Sequence, residues 1–272
     1  MIESVKQFQQ KIKNFYQSNK RNFSWREDIT PYRIFISEVM LQQTQTARVM
    51  YKFEQWMQKF QNFEALAQAS SYDVLKNWQG LGYNRRGLFL HQSAKIIVEK
   101  YAGVLPNAAY ELEQLPGIGI NTAGSICAFA FNKPIVFIET NIRTVFLHEF
   151  FQNKSDVSDK EILKLVQRTL DYDNPREWYY ALMDYGVFLK KDLKANNKSS
   201  KHYTRQAKFI GSRRQVRGAI VKNLTQYRQL TQDQLIELVD MQLHENNHDV
   251  AVVLQELCIE GIVHTNDKFF QL

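Results

Sequence analysis

A tight glycine turn, Leu115-Pro116-Gly117-Ile118-Gly119, separates two segments of helical apolar spacing, and it narrows the fold more than any other stretch of the chain. Glycine at two positions lets the backbone reverse and aim several N–H groups at one point. The next helix, expected to start near Asn121, adds the positive end of its dipole. Two helices joined this way cradle an anion such as a nucleic-acid phosphate. A carboxylate, Glu139, arrives shortly after the second helix ends. An acid held beside a captured sugar–phosphate backbone points to chemistry on sugar or base rather than to binding alone.

The surrounding pattern is helical almost throughout. Apolar residues recur at three- and four-residue spacing in 3–16, 31–41, 45–60, 72–78, 87–100, 109–114, 121–131, 141–151, 159–171 and 176–189. Pro and Gly punctuate these runs at Thr30-Pro31, Gly80-Leu81-Gly82, Leu105-Pro106 and Asn174-Pro175. The run 135–138 reads as an extended connector, since no partner strand is in view. With 44% hydrophobic and 23% charged residues the chain falls among globular proteins, and no apolar run approaches the ~20 residues of a bilayer span. The N-terminal stretch is amphipathic and lacks the apolar core of a signal peptide, so a cytoplasmic, nucleoid-associated address is expected, with no membrane partner. A formal charge of +7 favours a polyanionic partner. Cys127 and Cys258 both lie in apolar helical patterns and are expected to be buried, reduced thiols.

The polar, basic stretch 190–205 (KKDLKANNKSSKHYTR) reads as a linker or a DNA-facing loop. Beyond it, helices are expected over 213–224, 232–243 with Thr231 as N-cap, and 249–260, closed by a hairpin turning at Asn266-Asp267. Three helices and a hairpin outline a winged helix.

Three constellations carry chemistry. Glu38 stands in an otherwise apolar helix, among Ile34, Phe35, Val39, Met40 and Leu41. Such a carboxyl should have a raised pKa and suit general-acid work, against the plainer reading of a Glu on a solvated stripe. The amides Gln42, Gln43 and Gln45 follow it and suit contacts with bases. Trp25-Arg26 and the run Gly80 to Arg86, with Tyr83, Arg85 and Arg86, join aromatics to cations, the grammar of nucleic-acid contact. The plainer reading there is a helix start with solvated arginines.

Taken together and in order, SEVMLQQTQT, GLGYNRRG, LPGIGINTAG and FIETNIRTV resemble the helix-hairpin-helix (HhH-GPD) DNA glycosylase superfamily, and most of all its MutY-type adenine glycosylases, over roughly residues 20–190. The resemblance implies an all-α fold of two helical subdomains with DNA and an extruded base between them, here followed by the winged-helix-like module. It implies a six-helix barrel with the hairpin over 28–136, a second subdomain from 1–27 plus 137–200, and a third domain over 206–272. By position, Glu38 matches the glutamate that protonates the departing base, Glu139 the carboxylate beneath the sugar, and Asn141 an asparagine that supports it. Trp25, Arg26, Asn121 and Tyr180 match the pocket lining, and Gln43 and Tyr83 the wedge in the duplex. Gly117 and Gly119 match phosphate-binding amides, and a K+ or Na+ is implied on the carbonyls of Glu113, Leu115 and Ile118. Gln42, Arg85, Arg86, Thr122, Arg143, Arg213 and Arg214 complete the expected DNA surface. A monomer acting on double-stranded DNA with a mispaired or damaged base is implied.

Four departures stand out. The family's aspartate is Glu139, whose extra methylene moves the carboxylate by about an ångström. The lysine of bifunctional relatives is Asn121, so no Schiff base and no strand-cleaving lyase step is expected. The first cysteine of the family's iron–sulfur cluster is Lys190, so no cluster is expected. Tyr180 stands where adenine enzymes place Gln or Glu, and the module after 206 differs from theirs. The excised base therefore stays open between adenine opposite guanine or 8-oxoguanine, a mismatched thymine or uracil, and another modified base. A non-catalytic DNA-binding protein on the same scaffold is the alternative from another class.

Overall fold

The computed structural model describes residues 4–203, 208–243, 248–266 and 268–272. Helices dominate in chain order: α1 (Val5–Asn19), α2 (Ser24–Glu27), α3 (Pro31–Leu41), α4 (Thr46–Lys59), α5 (Phe63–Ala67), α6 (Ser71–Trp78), α7 (Arg85–Tyr101), α8 (Ala109–Leu112), α9 (Ile120–Phe131), α10 (Thr140–Phe150), α11 (Asp159–Thr169) and α12 (Pro175–Asp192). The C-terminal part adds α13 (Arg213–Tyr227), β1 (Gln229–Leu230), α14 (Gln232–Gln242), α15 (Val250–Ile259), β2 (His264–Asn266) and β3 (Phe269–Gln271). The chain forms two compact units.

The first unit comprises Met1–Glu38, Asn107–Gln114 and Ile118–Arg205. Its core gathers Phe8 and Ile12 of α1, Phe146 of α10, and Trp178 and Tyr179 of α12, all nearly inaccessible to solvent. Ser4 caps α1 and Ser158 caps α11, each in a reciprocal capping box. The connector 135–138 forms no strand, as its sequence predicts, and its Phe137 and Ile138 are buried.

The stretch from 190 is a docked loop rather than a free linker. Lys190, Lys191 and Asp192 close α12. Farther on, Ser200 forms a parallel bridge with Val157, and both are buried. The buried Asn197 accepts from the Thr144 hydroxyl at 2.8 Å and donates to the Thr140 carbonyl at 3.2 Å. Backbone groups and short polar side chains thus dock a segment that has almost no apolar residues to announce it. Thr204 and Arg205 lie outside the described residues.

The second unit comprises Val39–Pro106, Leu115–Gly117 and Gln206–Leu272. The C-terminal module has the expected outline: three helices and a three-stranded antiparallel sheet of order β1-β3-β2. Thr231 caps α14 with Gln234 answering in a capping box. β2 and β3 form the expected hairpin, whose Asp267 lies outside the described residues. The short β1 escaped the sequence reading because two residues carry no periodicity. One apolar cluster joins Leu75 of α6 and Leu88 of α7 to Val216, Ile220, Leu254 and Leu257 of the module. The Tyr72 hydroxyl donates to the Thr225 carbonyl at 2.7 Å, and the Arg228 guanidinium lies 3.9 Å over the Tyr72 ring. The module is therefore packed onto α6 and α7 rather than tethered. No helix among the described residues is long and apolar enough to cross a membrane.

Candidate active site

Glu38 lies near the end of α3, among the buried Ile34, Phe35 and Ser37 of the same helix. Glu38 itself is half-buried. Burial pushes its pKa from the ordinary 4.5 up to about 7, and the Glu139 charge pushes the same way. A hydrogen bond from Ser125 and the Arg26 cation oppose the shift. The Ser125 hydroxyl, on α9, lies 2.5 Å from Glu38 Oε2 and 3.0 Å from the Thr122 carbonyl. A hydroxyl has one proton to give. It turns to Glu38 when the carboxylate is ionised; when Glu38 is protonated, Glu38 donates to Ser125 and Ser125 to Thr122. Both states of the acid are therefore satisfied, as a group that exchanges a proton requires.

Glu139 is the N-cap of α10. Its Oε1 accepts from the backbone N–H of Asn141 at 2.8 Å and of Ile142 at 3.0 Å, and its Oε2 from Asn141 Nδ2 at 3.2 Å. The start of a helix favours a negative charge at this point. The connector that delivers Glu139 is braced twice: the Ile138 N–H donates to Asn121 Oδ1 at 3.3 Å, and the Tyr179 hydroxyl donates to the Ile135 carbonyl at 2.7 Å. Asn121 therefore supports Glu139 from behind. Gly186 of α12 permits the close approach of α10. A Cβ there would stand 2.5 Å from the Asn141 carbonyl oxygen.

The aromatic and cationic wall follows from one buried acid. Asp184 of α12 accepts two bonds from Arg26 at 3.0 Å and one from Arg21 Nε at 2.8 Å. Arg26 then lies 4.2 Å over the Tyr180 ring, which stacks on Phe129 at 4.5 Å. Trp25 is buried and stacked on Phe23 at 4.8 Å. Burial raises the Tyr180 hydroxyl well above its ordinary pKa, keeping it neutral. Glu38, Glu139, Asn141, Arg26, Asn121 and Tyr180 all belong to the first unit, and Glu38 feels the charges of Glu139 and Arg26. Sequence reasoning missed Ser125, four residues after Asn121 on one helix face, and Asp184, a lone acid in an apolar pattern. Both carried a usable signal, since a polar group on an apolar helix face needs a partner.

The second unit holds several of the other expected contacts. A groove of about 1250 Å³ is lined by Gln42, Gln43, Tyr83, Arg85, Gly117 and Arg214 among others. Gln43 (φ +54°) and Tyr83 (φ +49°) both adopt left-handed backbone, which strains a residue with a side chain. Arg214 donates to the Tyr83 hydroxyl at 2.7 Å, and Gln42 donates to the Gly117 carbonyl at 3.3 Å. Gly117 has φ +76°, and a Cβ there would meet the Phe89 ring at 2.9 Å.

Four of the expected DNA contacts also have places in the fold's own structure. Gly119 sits at φ −94° in open space, so its place does not require glycine's conformational freedom; it is the N-cap of α9, and no side chain caps that helix. Arg86 is a structural cation, donating to the carbonyls of Val39, Met40, Leu81 and Gly82 and to the Thr44 hydroxyl. Arg143 is forked onto Asp159 at 2.9 and 2.8 Å, and Arg213 is paired with Glu256. A four-cysteine iron–sulfur cluster does not fit the chain, which holds two cysteines. Cys127 is buried in α9 and Cys258 half-buried in α15, and both are free thiols. Among the described residues no group of three or more His, Cys, Asp and Glu is placed to hold a metal ion.

Comparison with known proteins places the chain in a family. The family model of the HhH-GPD superfamily base excision DNA repair protein matches residues 36–171. The adenine DNA glycosylase of Buchnera aphidicola subsp. Baizongia pistaciae is 34% identical over 196 residues, 70% of this chain and 55% of the relative. That of Mus musculus is 33% identical over 198 residues, 68% of this chain and 38% of the relative. The chain thus spans about half or less of the length of these curated relatives. The solved structure of a thermostable thymine-DNA glycosylase shares the fold, with a TM-score of 0.64 at 23% identity over 70% of this chain and 89% of that one. Matched over half its length by that family model, the chain belongs to the HhH-GPD superfamily of base excision DNA repair proteins.

Proposed function

We propose that the protein is a monofunctional DNA glycosylase of base excision repair, hydrolysing the N-glycosidic bond of a mispaired base, with adenine opposite guanine or 8-oxoguanine as its first target. The observation that carries this reading is the pair of unlike acids in the first unit. Glu38, with a pKa near 7, is poised to protonate a departing base, and the helix-capping Glu139 is held by two backbone N–H donors where it can stabilise the cationic sugar. Extruding the base costs a few kcal/mol and is easiest at a mismatch. Double-stranded DNA is the partner, gripped at Gly117, Gly119 and Thr122 and along the groove of the second unit. K+ or Na+ on the carbonyls of Glu113, Leu115 and Ile118 belongs to the proposal, as does the absence of an iron–sulfur cluster. Asn121, an amide engaged with the connector, offers no amine for a lyase step.

One observation favours a second reading. Among the described residues the hydrogen bonds of Glu139 lie within the cap of α10, a structural job that needs no substrate. A DNA-binding protein without chemistry would keep it for that reason. Duplexes carrying A:8-oxoguanine, A:G, T:G, U:G or hypoxanthine separate the readings. Strand scission only after hot alkali supports a monofunctional enzyme and names its base. Binding with no scission in any duplex supports the scaffold.

A further inference from the structure

Lys190, the last-turn lysine of α12, sits at a helix end that favours a cation and reaches across to α10. It is half-buried, and burial lowers its pKa while the Glu139 charge raises it. Its Nζ donates to Asn141 Oδ1 at 2.8 Å and approaches the Thr140 carbonyl at 3.5 Å. Asn141 in turn donates through Nδ2 to Glu139 Oε2 at 3.2 Å. An ammonium only donates and a carboxylate only accepts, so this chain fixes which way the Asn141 amide points. The segment that follows completes the brace, with Asn197 holding the Thr140 carbonyl and the Thr144 hydroxyl.

We infer that Lys190 is a positioning residue for Glu139, acting through Asn141: it locks the amide so that Nδ2 faces the carboxylate and sets where that carboxylate sits. The inference rests on the glycosylase reading for its consequence in rate, but not for the geometry. An aligned chain of ammonium, amide and carboxylate holds Glu139 Oε2, which the two backbone bonds to Oε1 leave free to swing. A misplacement of about 1 Å at such a group costs up to about a hundredfold in rate.

The test compares Lys190→Met, Lys190→Gln and Lys190→Arg in the full chain. On whichever duplex the wild type cuts, Lys190→Met should slow single-turnover excision 10- to 100-fold while the Kd for that duplex changes less than twofold. Lys190→Arg, which keeps a donor cation, should recover most of the rate. Independently of any activity, the Asn141 side-chain amide signal in 15N-resolved NMR, assigned by its loss in Asn141→Asp, should shift in Lys190→Met and Lys190→Gln and stay near its wild-type position in Lys190→Arg. Four results would overturn the inference: an excision rate in Lys190→Met within twofold of wild type; a loss in rate matched by the loss in binding, which would make Lys190 a phosphate contact; an unmoved Asn141 signal; or a borohydride-trapped adduct with DNA that vanishes in Lys190→Met, which would make it a nucleophile. If the wild type cuts no duplex, the function proposed above fails, and the NMR outcome still decides the role of Lys190.

Discussion

The acids of the first unit and the proposed wedge residues of the second are built on opposite plans. Glu38, Glu139 and Arg26 are each held by partners whose own positions are fixed by packing: Ser125, the start of α10, and the buried Asp184. Gln43 and Tyr83 are exposed and stand on left-handed backbone. Groups that must exchange a proton or face a charge gain from a rigid, partly desolvated surround. Groups proposed to enter a duplex sit instead at exposed positions on left-handed backbone, where Tyr83 meets Arg214.

The sharpest break of this contrast is at Glu38. Glu38→Gln keeps an acceptor for Ser125 but cannot give up a proton, so single-turnover excision should drop by about 10² to 10⁴ while duplex binding persists. Stability should move the other way. The folded-state pKa of Glu38 is raised, so the stabilisation is present below the ordinary 4.5 and is lost as pH rises through about 7. Thermal melts of Glu38→Gln should therefore match wild type near pH 4 and exceed it at pH 8, by roughly 1–3 kcal/mol after allowance for partial exposure.

Next in size is Gly186→Ala. Its new Cβ meets backbone rather than a yielding side chain, so α10 must shift and take Asn141 and Glu139 with it. A loss of about 1–3 kcal/mol in stability is expected, read by urea melts, with slower excision. An unchanged melt would show that the two helices are less tightly docked than described.

A smaller effect tests the strained side. Tyr83→Gly should be more stable than Tyr83→Ala by about 1 kcal/mol, because only glycine adopts φ +49° without penalty. Both should weaken binding to a mismatched duplex by the same factor, about tenfold for one lost stacking surface. The smallest effect concerns charge. Arg214→Ala, which removes the partner of the Tyr83 hydroxyl, should flatten the salt dependence of binding by about one ion, whereas Arg143→Ala should leave the slope unchanged because Asp159 already neutralises that guanidinium. Equal slopes for both variants would mean that the pairing with Asp159 opens on DNA.

Much of this was legible in the sequence because it lies in local periodicity and short motifs. The bounds of α3, the capping role of Thr231, and the raised pKa of a Glu set among Ile34, Phe35 and Val39 all follow from spacing. What the sequence hid depends on residues far apart in the chain. Arg86 and Arg143 read as DNA contacts because a cation beside glycines or after a catalytic motif looks free; only folding reveals carbonyls around one and Asp159 against the other. The stretch after Asp192 looked like a linker because Asn197 and Ser200 dock through hydrogen bonds, which leave no hydrophobic trace. Ser125 is one small residue in an apolar helix, and its meaning appears only when Glu38 arrives from 87 positions away.

The most direct measurement is the pH profile of single-turnover excision by the full chain on its preferred duplex. If Glu38 supplies the proton, the rate falls about tenfold per unit once pH exceeds about 7, following the loss of its protonated form. A profile that stays level from pH 6 to 9, with a comparable rate in Glu38→Gln, would contradict the account and remove Glu38 from the chemistry.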